Sequence, residues 1–171
     1  MTLLQKQYDL TTSKLKEDIF AELRNKIDLQ KDKRDFFGLE LVNYKNFELN
    51  GDVVTIESWP VTRTNPYEGV GTIIFKFQQR GNLTYISCTI EPYNKYATLL
   101  ASCFFTFFLI VFTAFILITL NDHLAKALTM TVLAWIFVYG TIYLTLRYYR
   151  SVLEQYSKTV LDDLGIKISS S

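Results

Sequence analysis

Two long apolar stretches dominate the second half of the chain. Residues 97–120 carry no charged side chain, and residues 127–146 form a second uncharged run after a short polar break at Asn121–Leu124. At a rise of about 1.5 Å per residue, helices of these lengths are about 30–36 Å long, enough to cross the hydrocarbon core of a bilayer. The pattern predicts two transmembrane helices, which the short break folds into an antiparallel hairpin over residues 96–147.

The first part of the chain opens with a helical pattern. Apolar residues recur every four positions at Leu15, Ile19, Leu23 and Ile27. The segment Thr11–Ser13 supplies candidate N-caps, and the acidic Glu17 follows in the first turn. The pattern predicts a helix from about Thr12 to Gln30 with one apolar face.

Beyond residue 35 the apolar period changes to two, as in strands with one buried face. The predicted strands are Phe36–Leu41, Tyr44–Leu49, Val53–Trp59, Val70–Gln79 and Leu83–Glu91. Tight-turn sequences at Asn50-Gly51 and Arg80–Asn82, and a loop at Pro60–Pro66, connect them. Such turns favour an antiparallel β-meander. We expect the N-terminal helix to pack on one of its faces, in an α+β domain over residues 1–95.

The helical pattern continues past the second apolar run. An apolar stripe at spacings of three and four consists of Tyr149, Val152, Leu153, Tyr156, Val160, Leu161 and Leu164, and Gly165 follows as a likely C-cap. The pattern predicts that the second span continues into an amphipathic C-terminal helix and tail over residues 148–171. Its interaction face, with Val152, Tyr156 and Val160, needs a partner: the sheet, the N-terminal helix or a second copy of the chain.

Flanking charges and aromatic rings predict how the hairpin sits in a membrane. The candidate anchors at the membrane–water interface are Tyr93, Lys95, Tyr96, Arg147, Tyr148, Tyr149 and Arg150. The turn between the spans has Lys126 alone, with Asp122 near it. Because lysine and arginine favour the cytoplasmic side, we expect both termini in the cytoplasm. The first nine residues lack the apolar core of a secretory signal, so we expect no export of the domain ahead of the spans.

Composition and charge argue against several function classes. The net charge of +1 gives no field for binding nucleic acid. Cys88 lies in a predicted strand and Cys103 in a predicted span, so we expect no disulfide between them. His123, the single histidine, has no ligand neighbours, and the side chains of Asp162 and Asp163 point in different directions on a helix. We expect no metal site and no cofactor.

No sequence motif for phosphate binding, nucleophilic catalysis or zinc proteolysis occurs in the chain. Gly69-Val-Gly71 precedes a predicted strand, whereas a phosphate-binding loop precedes a helix. The two spans contain no Asp, Glu, His, Lys or Arg, which disfavours ion or proton transport. These observations predict that the protein is not an enzyme.

Two groups of residues are weaker candidates for a role. Trp59, Arg63 and Tyr67 form a speculative ligand loop, since aromatic and arginine side chains are common at binding surfaces. Gly140, Thr141 and Thr145 form a candidate helix-packing face on the second span, because small residues allow helices to approach closely.

The order of these motifs resembles that of a set of small uncharacterised bacterial two-span membrane proteins. The matching residues are Phe36-Phe37-Gly38, Pro66, Gly71-Thr72-Ile73, Gly81 and Pro92. The resemblance covers most of the chain and implies an N-terminal helix, a meander domain and two spans in a bacterial inner membrane. It implies no activity.

The sequence supports three hypotheses of function. The first is a non-enzymatic, membrane-anchored interaction or scaffold module, because the short link Pro92–Tyr96 ties the last predicted strand directly to the first span. Its expected partners are the lipid bilayer and either a second copy, in a homo-oligomer, or another membrane protein. The alternatives are a ligand-gated membrane-perturbing effector and a membrane-surface binder of a lipid or small molecule.

Overall fold

The structure is a computed structural model that describes residues 4–31, 42–58, 70–93, 95–119 and 123–166, and the side chains of 95–99 are not among them. Its elements are β1 (Lys6–Thr12), α1 (Lys16–Lys31), β2 (Phe47–Asn50), β3 (Val53–Ser58), β4 (Gly71–Arg80), β5 (Leu83–Glu91), α2 (Lys95–Thr119) and α3 (Leu124–Asp163). The chain divides into two compact units. Met1–Pro92 with Tyr148–Ser171 is here called the sheet domain, and Tyr93–Arg147 the hairpin.

The sheet domain contains a five-stranded antiparallel sheet in the order β1-β5-β4-β3-β2. Strands β2 to β5 form the predicted meander, and β5 has the predicted bounds. Alternate residues of β4, namely Ile73, Phe75 and Phe77, are buried on one face, as the period of two requires. The α+β fold class is therefore confirmed.

A strand precedes the first helix, which the sequence analysis did not predict. β1 pairs with β5 along its whole length, from Lys6 opposite Ile90 to Thr12 opposite Thr84. The helix α1 consequently begins at Lys16 and not near Thr12. Its first N–H group, on Lys16, donates to Oε1 of Gln79 at 2.9 Å, so the side chain that satisfies the helix start comes from β4 and not from Thr11–Ser13.

The second predicted strand is shorter than expected. Tyr44–Asn46 forms a 3-10 turn, and the strand begins at Phe47. The side chain of Asn43 accepts a hydrogen bond from the N–H of Lys45, and the N–H of Tyr44 donates to Oε1 of Gln30 at 2.6 Å. These local bonds replace strand pairing at the three residues. The predicted strand Phe36–Leu41 and the residue Trp59 lie outside the described residues.

One face of the sheet is covered by α1, as predicted. Ile19, Leu23 and Ile27 of α1 are buried, and the ring of Phe20 meets that of Phe77 edge-on at 5.3 Å between centroids. The same hydrophobic core also contains residues of the tail, defined here as Tyr148–Ile166. The core of the sheet domain is therefore built from the sheet, α1 and the end of α3.

Two helices of the chain, α2 and α3, are long and apolar enough to cross a membrane. α3 is one unbroken helix of 40 residues, so the predicted continuation of the second apolar run into the tail is confirmed. Large apolar side chains of both helices are exposed, including Phe107 (68% exposed) and Phe137 (74% exposed). A core helix of a soluble protein would bury such residues.

Candidate functional site

Within the sheet domain, many side-chain contacts of the described chain lie where the tail packs on the sheet and α1, here called the docking surface. Leu153 and Leu161 of α3 are completely buried, and Leu164 and Ile166 are 1% exposed. Burying four such side chains stabilises the docked tail by several kcal/mol, at about 1.5–3 kcal/mol for each aliphatic side chain. Of the partners that the sequence left open for this stripe, the structure shows the sheet and α1.

Gly71, the first residue of β4, is where the tail approaches the sheet most closely. Its φ of +141° is a conformation that other residues rarely adopt. A Cβ atom there would lie 2.2 Å from the carbonyl oxygen of Glu91 and 2.8 Å from Cδ1 of Leu153. Only glycine therefore lets β4, the end of β5 and the tail meet at this point.

A small group of buried polar side chains fixes the position of the tail along the sheet. The hydroxyl oxygens of Tyr8 in β1 and Ser157 in α3 are 2.7 Å apart, and Ser157 is completely buried. The Ser157 hydroxyl also lies 2.8 Å from the carbonyl oxygen of Glu154, to which it donates. Because the Tyr8 hydroxyl and Ser157 lose this bond in any other register, it favours one position of the tail along the sheet.

The thiol of Cys88 belongs to the same group but is not a nucleophile. Burial raises its pKa to about 12, so it stays protonated near neutral pH. Burial likewise raises the pKa of the Tyr8 hydroxyl well above its ordinary value. The cluster therefore contributes hydrogen bonds and packing and offers no reactive anion.

The last turn of α3 is held by two lysines. Nζ of Lys26 lies 2.6 Å from both the carbonyl oxygen and Oδ2 of Asp163, and Nζ of Lys14 lies 2.8 Å from the carbonyl oxygen of Leu164. Positive charges at this end complement the helix dipole and satisfy carbonyl groups that have no partner within the helix. The hydroxyl of Tyr44 donates to the Asp163 carboxylate as well.

The predicted C-cap at Gly165 completes the helix end. Its φ is +70°, its N–H donates to the carbonyl of Asp162 at 2.9 Å, and the N–H of Ile166 donates to that of Leu161 at 2.9 Å. This pair of bonds is the Schellman motif, with Ile166 and Leu161 as its buried apolar contact.

At the edge of the sheet, the carboxylate of Glu154 forms ion pairs with two lysines. Lys6 of β1 approaches its Oε2 at 2.7 Å, and Lys158, one turn further along α3, approaches its Oε1 at 3.1 Å. The hydrogen bond from Lys6 lowers the pKa of Glu154 in spite of partial burial. For Asp163, burial acts to raise the pKa, but the hydrogen bonds from Lys26 and Tyr44 outweigh it and leave the pKa below its ordinary value.

Docking of the tail should therefore weaken in acid. Both carboxyl groups have lowered pKa values when folded, so their stabilisation is present above their ordinary values of 4.5 (Glu154) and 3.8 (Asp163) and is lost as pH falls through the folded values. We expect chemical denaturation to show a falling free energy of unfolding between about pH 5 and pH 3. D163N should reduce this pH dependence and the neighbouring D162N should not. Equal effects of the two variants would contradict the assignment.

The predicted tail face is placed at this docking surface. Tyr156 (2% exposed) and Val160 (1% exposed) are buried inside the sheet domain, and Val152 is half-buried. The N–H of Asn43 donates to the hydroxyl oxygen of Tyr156 at 3.1 Å. In the structure these residues contact the chain itself.

The hairpin is held by aromatic and hydroxyl side chains. Nε1 of Trp135 donates to Oγ1 of Thr113 at 3.1 Å, and the hydroxyls of Thr106 and Tyr139 are 2.9 Å apart. The rings of Trp135 and Tyr139 stack at 5.8 Å between centroids. Indole and phenol groups have apolar bodies with one polar atom, which suits a contact between two apolar helices.

The predicted helix-packing residues lie elsewhere on α3. A Cβ atom at Gly140 would meet nothing within 4 Å, and Thr141 and Thr145 are exposed. The hydroxyl of Thr141 donates to the carbonyl of Phe137 in its own helix at 2.7 Å. A role for this face against a second membrane protein stays a prediction.

The candidate interface anchors flank the apolar segments. Arg147 and Tyr148 are exposed, Tyr149 and Arg150 are half-exposed, and Tyr93 is buried. Lys95 and Tyr96 lie in the first turn of α2, where the structure does not describe the side chains. The speculative ligand loop of Trp59, Arg63 and Tyr67 lies outside the described residues.

A shallow, open depression of about 470 Å³ lies on the sheet domain, lined by Ile27, Lys31, Lys45, Phe47 and Leu49. Small-molecule sites are usually concave enough to enclose most of their ligand. Within the described ranges, no group of three His, Cys, Asp or Glu side chains is placed to hold a metal ion. His123 is exposed at the start of α3.

Several residues of the docking surface were not singled out by the sequence analysis. Tyr8, Ser157 and Lys26 are polar residues with no motif around them, and their roles depend on partners more than 100 residues away in the chain. Asp163 was recognised as pointing away from Asp162, but the lysine that it faces was not.

Comparisons of the chain with protein-family models, with curated proteins and with solved structures found no match. The functional conclusion is therefore drawn from the residues and contacts of this chain.

Proposed function

We propose that the protein is a non-enzymatic, membrane-anchored interaction module whose hairpin crosses the membrane and whose sheet domain is held by the second membrane helix. One observation carries this proposal. The single helix α3 contributes residues to both units, with Leu124–Arg147 in the hairpin and Tyr148–Asp163 in the sheet domain. A helical connection is a semi-rigid spacer, whereas a Gly/Ser-rich linker behaves as a flexible coil.

Membrane crossing is supported by the length and the exposed surface of the helices. α2 and α3 present large apolar side chains outward, such as Leu100 (75% exposed) and Ile118 (78% exposed). Contact with lipid tails removes these apolar side chains from water, which is favourable. The tail shares a core with the strands that precede α2, so both ends of the hairpin are on one side of the bilayer, as a pair of crossings requires.

The side occupied by the sheet domain is proposed to be the cytoplasm, in a bacterial inner membrane. Arg147 and Arg150 follow the second apolar run directly, whereas the turn between the helices is followed by Lys126 alone. The excess of positive charge at the domain end favours the cytoplasmic side.

The partner surface of the module is proposed to be the outward face of the hairpin. The tail stripe is occupied by the chain itself, so it no longer calls for a second copy. The exposed side chains of α2 and α3 remain for contact with lipid and with a second membrane protein, either another copy or a different chain.

Photo-crosslinking in membranes tests the interaction. A photoreactive phenylalanine analogue at Phe137 (74% exposed) is expected to give a protein adduct of defined mass, and the same analogue at Phe75 (1% exposed, in the core) is expected to give none. Blue-native electrophoresis should show the corresponding complex. Lipid adducts alone at Phe137, with a strictly monomeric band, would contradict the proposal.

A further inference from the structure

The first turn of α3 beyond the apolar run carries two arginines. Arg147 and Arg150 follow Leu146, and residues three apart lie on the same side of a helix. Arg147 is exposed and Arg150 is half-exposed. Two permanently charged guanidinium groups therefore stand within one helical turn of each other.

Neither guanidinium forms an ion pair with the described part of the chain. Glu154 lies one turn beyond Arg150, but its two oxygens are taken by Lys6 and Lys158. The lysines of the sheet domain that do form ion pairs are Lys6, Lys14, Lys16, Lys26, Lys31 and Lys158. The charges of Arg147 and Arg150 are therefore free to bind a partner, whereas the charges of these lysines are neutralised by carboxylates of the chain.

The chemistry of the pair fits one partner. In the proposed membrane, Arg147 and Arg150 lie at the depth of the lipid headgroups, next to the rings of Tyr148 and Tyr149, which suit the same depth. A guanidinium fork binds phosphate oxygens with two parallel hydrogen bonds. We propose that Arg147 and Arg150 together bind the phosphate of an anionic phospholipid, an inference that rests on the proposed membrane crossing.

An anionic headgroup is favoured over a zwitterionic one for an electrostatic reason. The phosphate of phosphatidylcholine is offset by its own choline, whereas that of phosphatidylglycerol keeps a full net charge. Each basic residue near an anionic membrane surface strengthens binding by about fivefold, so about 25-fold is the upper limit for the pair. The bound lipid lies directly before Leu153, where α3 enters the core of the sheet domain.

Lipid titration of the full chain in detergent, read by native mass spectrometry, tests the site. Phosphatidylglycerol is expected to bind severalfold more tightly than phosphatidylcholine with the same acyl chains, up to about 25-fold. R147Q/R150Q should lose this preference. R24Q removes an exposed arginine of α1 and should retain it, which makes it the matched control.

Several outcomes would overturn the lipid site. They are equal binding of the two lipids by the wild type, an equal loss in R24Q, or displacement of phosphatidylglycerol by an equimolar amount of inorganic phosphate. R147K/R150K keeps both charges but loses the paired hydrogen bonds of the guanidinium forks, so its preference should lie between those of the wild type and R147Q/R150Q. A preference equal to that of the wild type would contradict the role of the forks, even if the glutamine variant folds poorly. Cysteine labelling of membrane topology is independent of lipid type. A hairpin that crosses the bilayer without a lipid preference would remove this inference alone.

Discussion

Replacement of Gly71 by alanine is expected to cause a large loss of stability, larger than the same change at Gly51, Gly81 or Gly165. The new Cβ atom would lie 2.2 Å from the carbonyl oxygen of Glu91 and 2.8 Å from Cδ1 of Leu153. The leucine can move, but the backbone carbonyl cannot move without distorting the end of β5. Strain at the positive φ and overpacking together should lower the free energy of unfolding by about 3–5 kcal/mol.

Gly81 provides the matched control for this prediction. It also has a positive φ, of 60°, but a Cβ atom there meets nothing within 4 Å. G81A should therefore cost only about 1 kcal/mol, the ordinary penalty for a left-handed residue. The test compares the thermal unfolding of both variants and the amide exchange in β4 and in the tail. A larger loss in G71A than in G81A measures the steric overlap of the new Cβ atom beyond the backbone strain of a positive φ. Equal losses in G71A and G81A would show that the added Cβ atom at position 71 overlaps neither Glu91 nor Leu153.

In β4, the sequence pattern predicts the buried face of the strand but not the requirement for glycine at position 71. The period of two in Ile73, Phe75 and Phe77 predicts a strand with one buried face, because each side chain reports its own environment. Gly71 was noted as part of a Gly-x-Ile sequence, but its need for glycine arises from its positive φ and from the backbone of Glu91 and the side chain of Leu153, 20 and 82 positions along the chain. Long-range contacts of this kind leave no local signal.

The tail illustrates the same limit. Its spacing of three and four predicted the helix, its continuity with the second apolar run and its C-cap at Gly165. An amphipathic stripe indicates that a face is buried, but it does not identify the surface that buries it. The hydrogen bond between Tyr8 and Ser157, which selects the sheet, involves two residues that are common on any surface.

β1 was missed for a different physical reason. Its seven residues contain only two large apolar side chains, Tyr8 and Leu10, which are partly buried at the edge of the core. An edge strand needs fewer apolar residues than a central one, so its pattern is weak. In the hairpin, the small residues near Gly140 suggested the contact, whereas Trp135 and Tyr139 make it, because their rings extend far enough to reach α2.

The second prediction with a very large expected effect concerns the two sides of the membrane. A hairpin that crosses the bilayer places the polar turn before α3 and the sheet domain on opposite sides of it. His123 marks the turn and Asp52 marks the sheet domain, and both are exposed. Of the native cysteines, Cys103 is exposed on α2 and is replaced by serine, while Cys88 is buried and protonated, so it should not react.

Labelling of H123C and D52C in intact cells with a membrane-impermeant maleimide tests the central claim most directly. A bilayer excludes the charged reagent, so the difference between the two positions should be nearly complete. The account predicts that H123C is labelled from outside and that D52C is labelled only after the membrane is opened. Labelling of both positions in intact cells, or of both only after opening, would contradict a hairpin that crosses the membrane with its sheet domain in the cytoplasm.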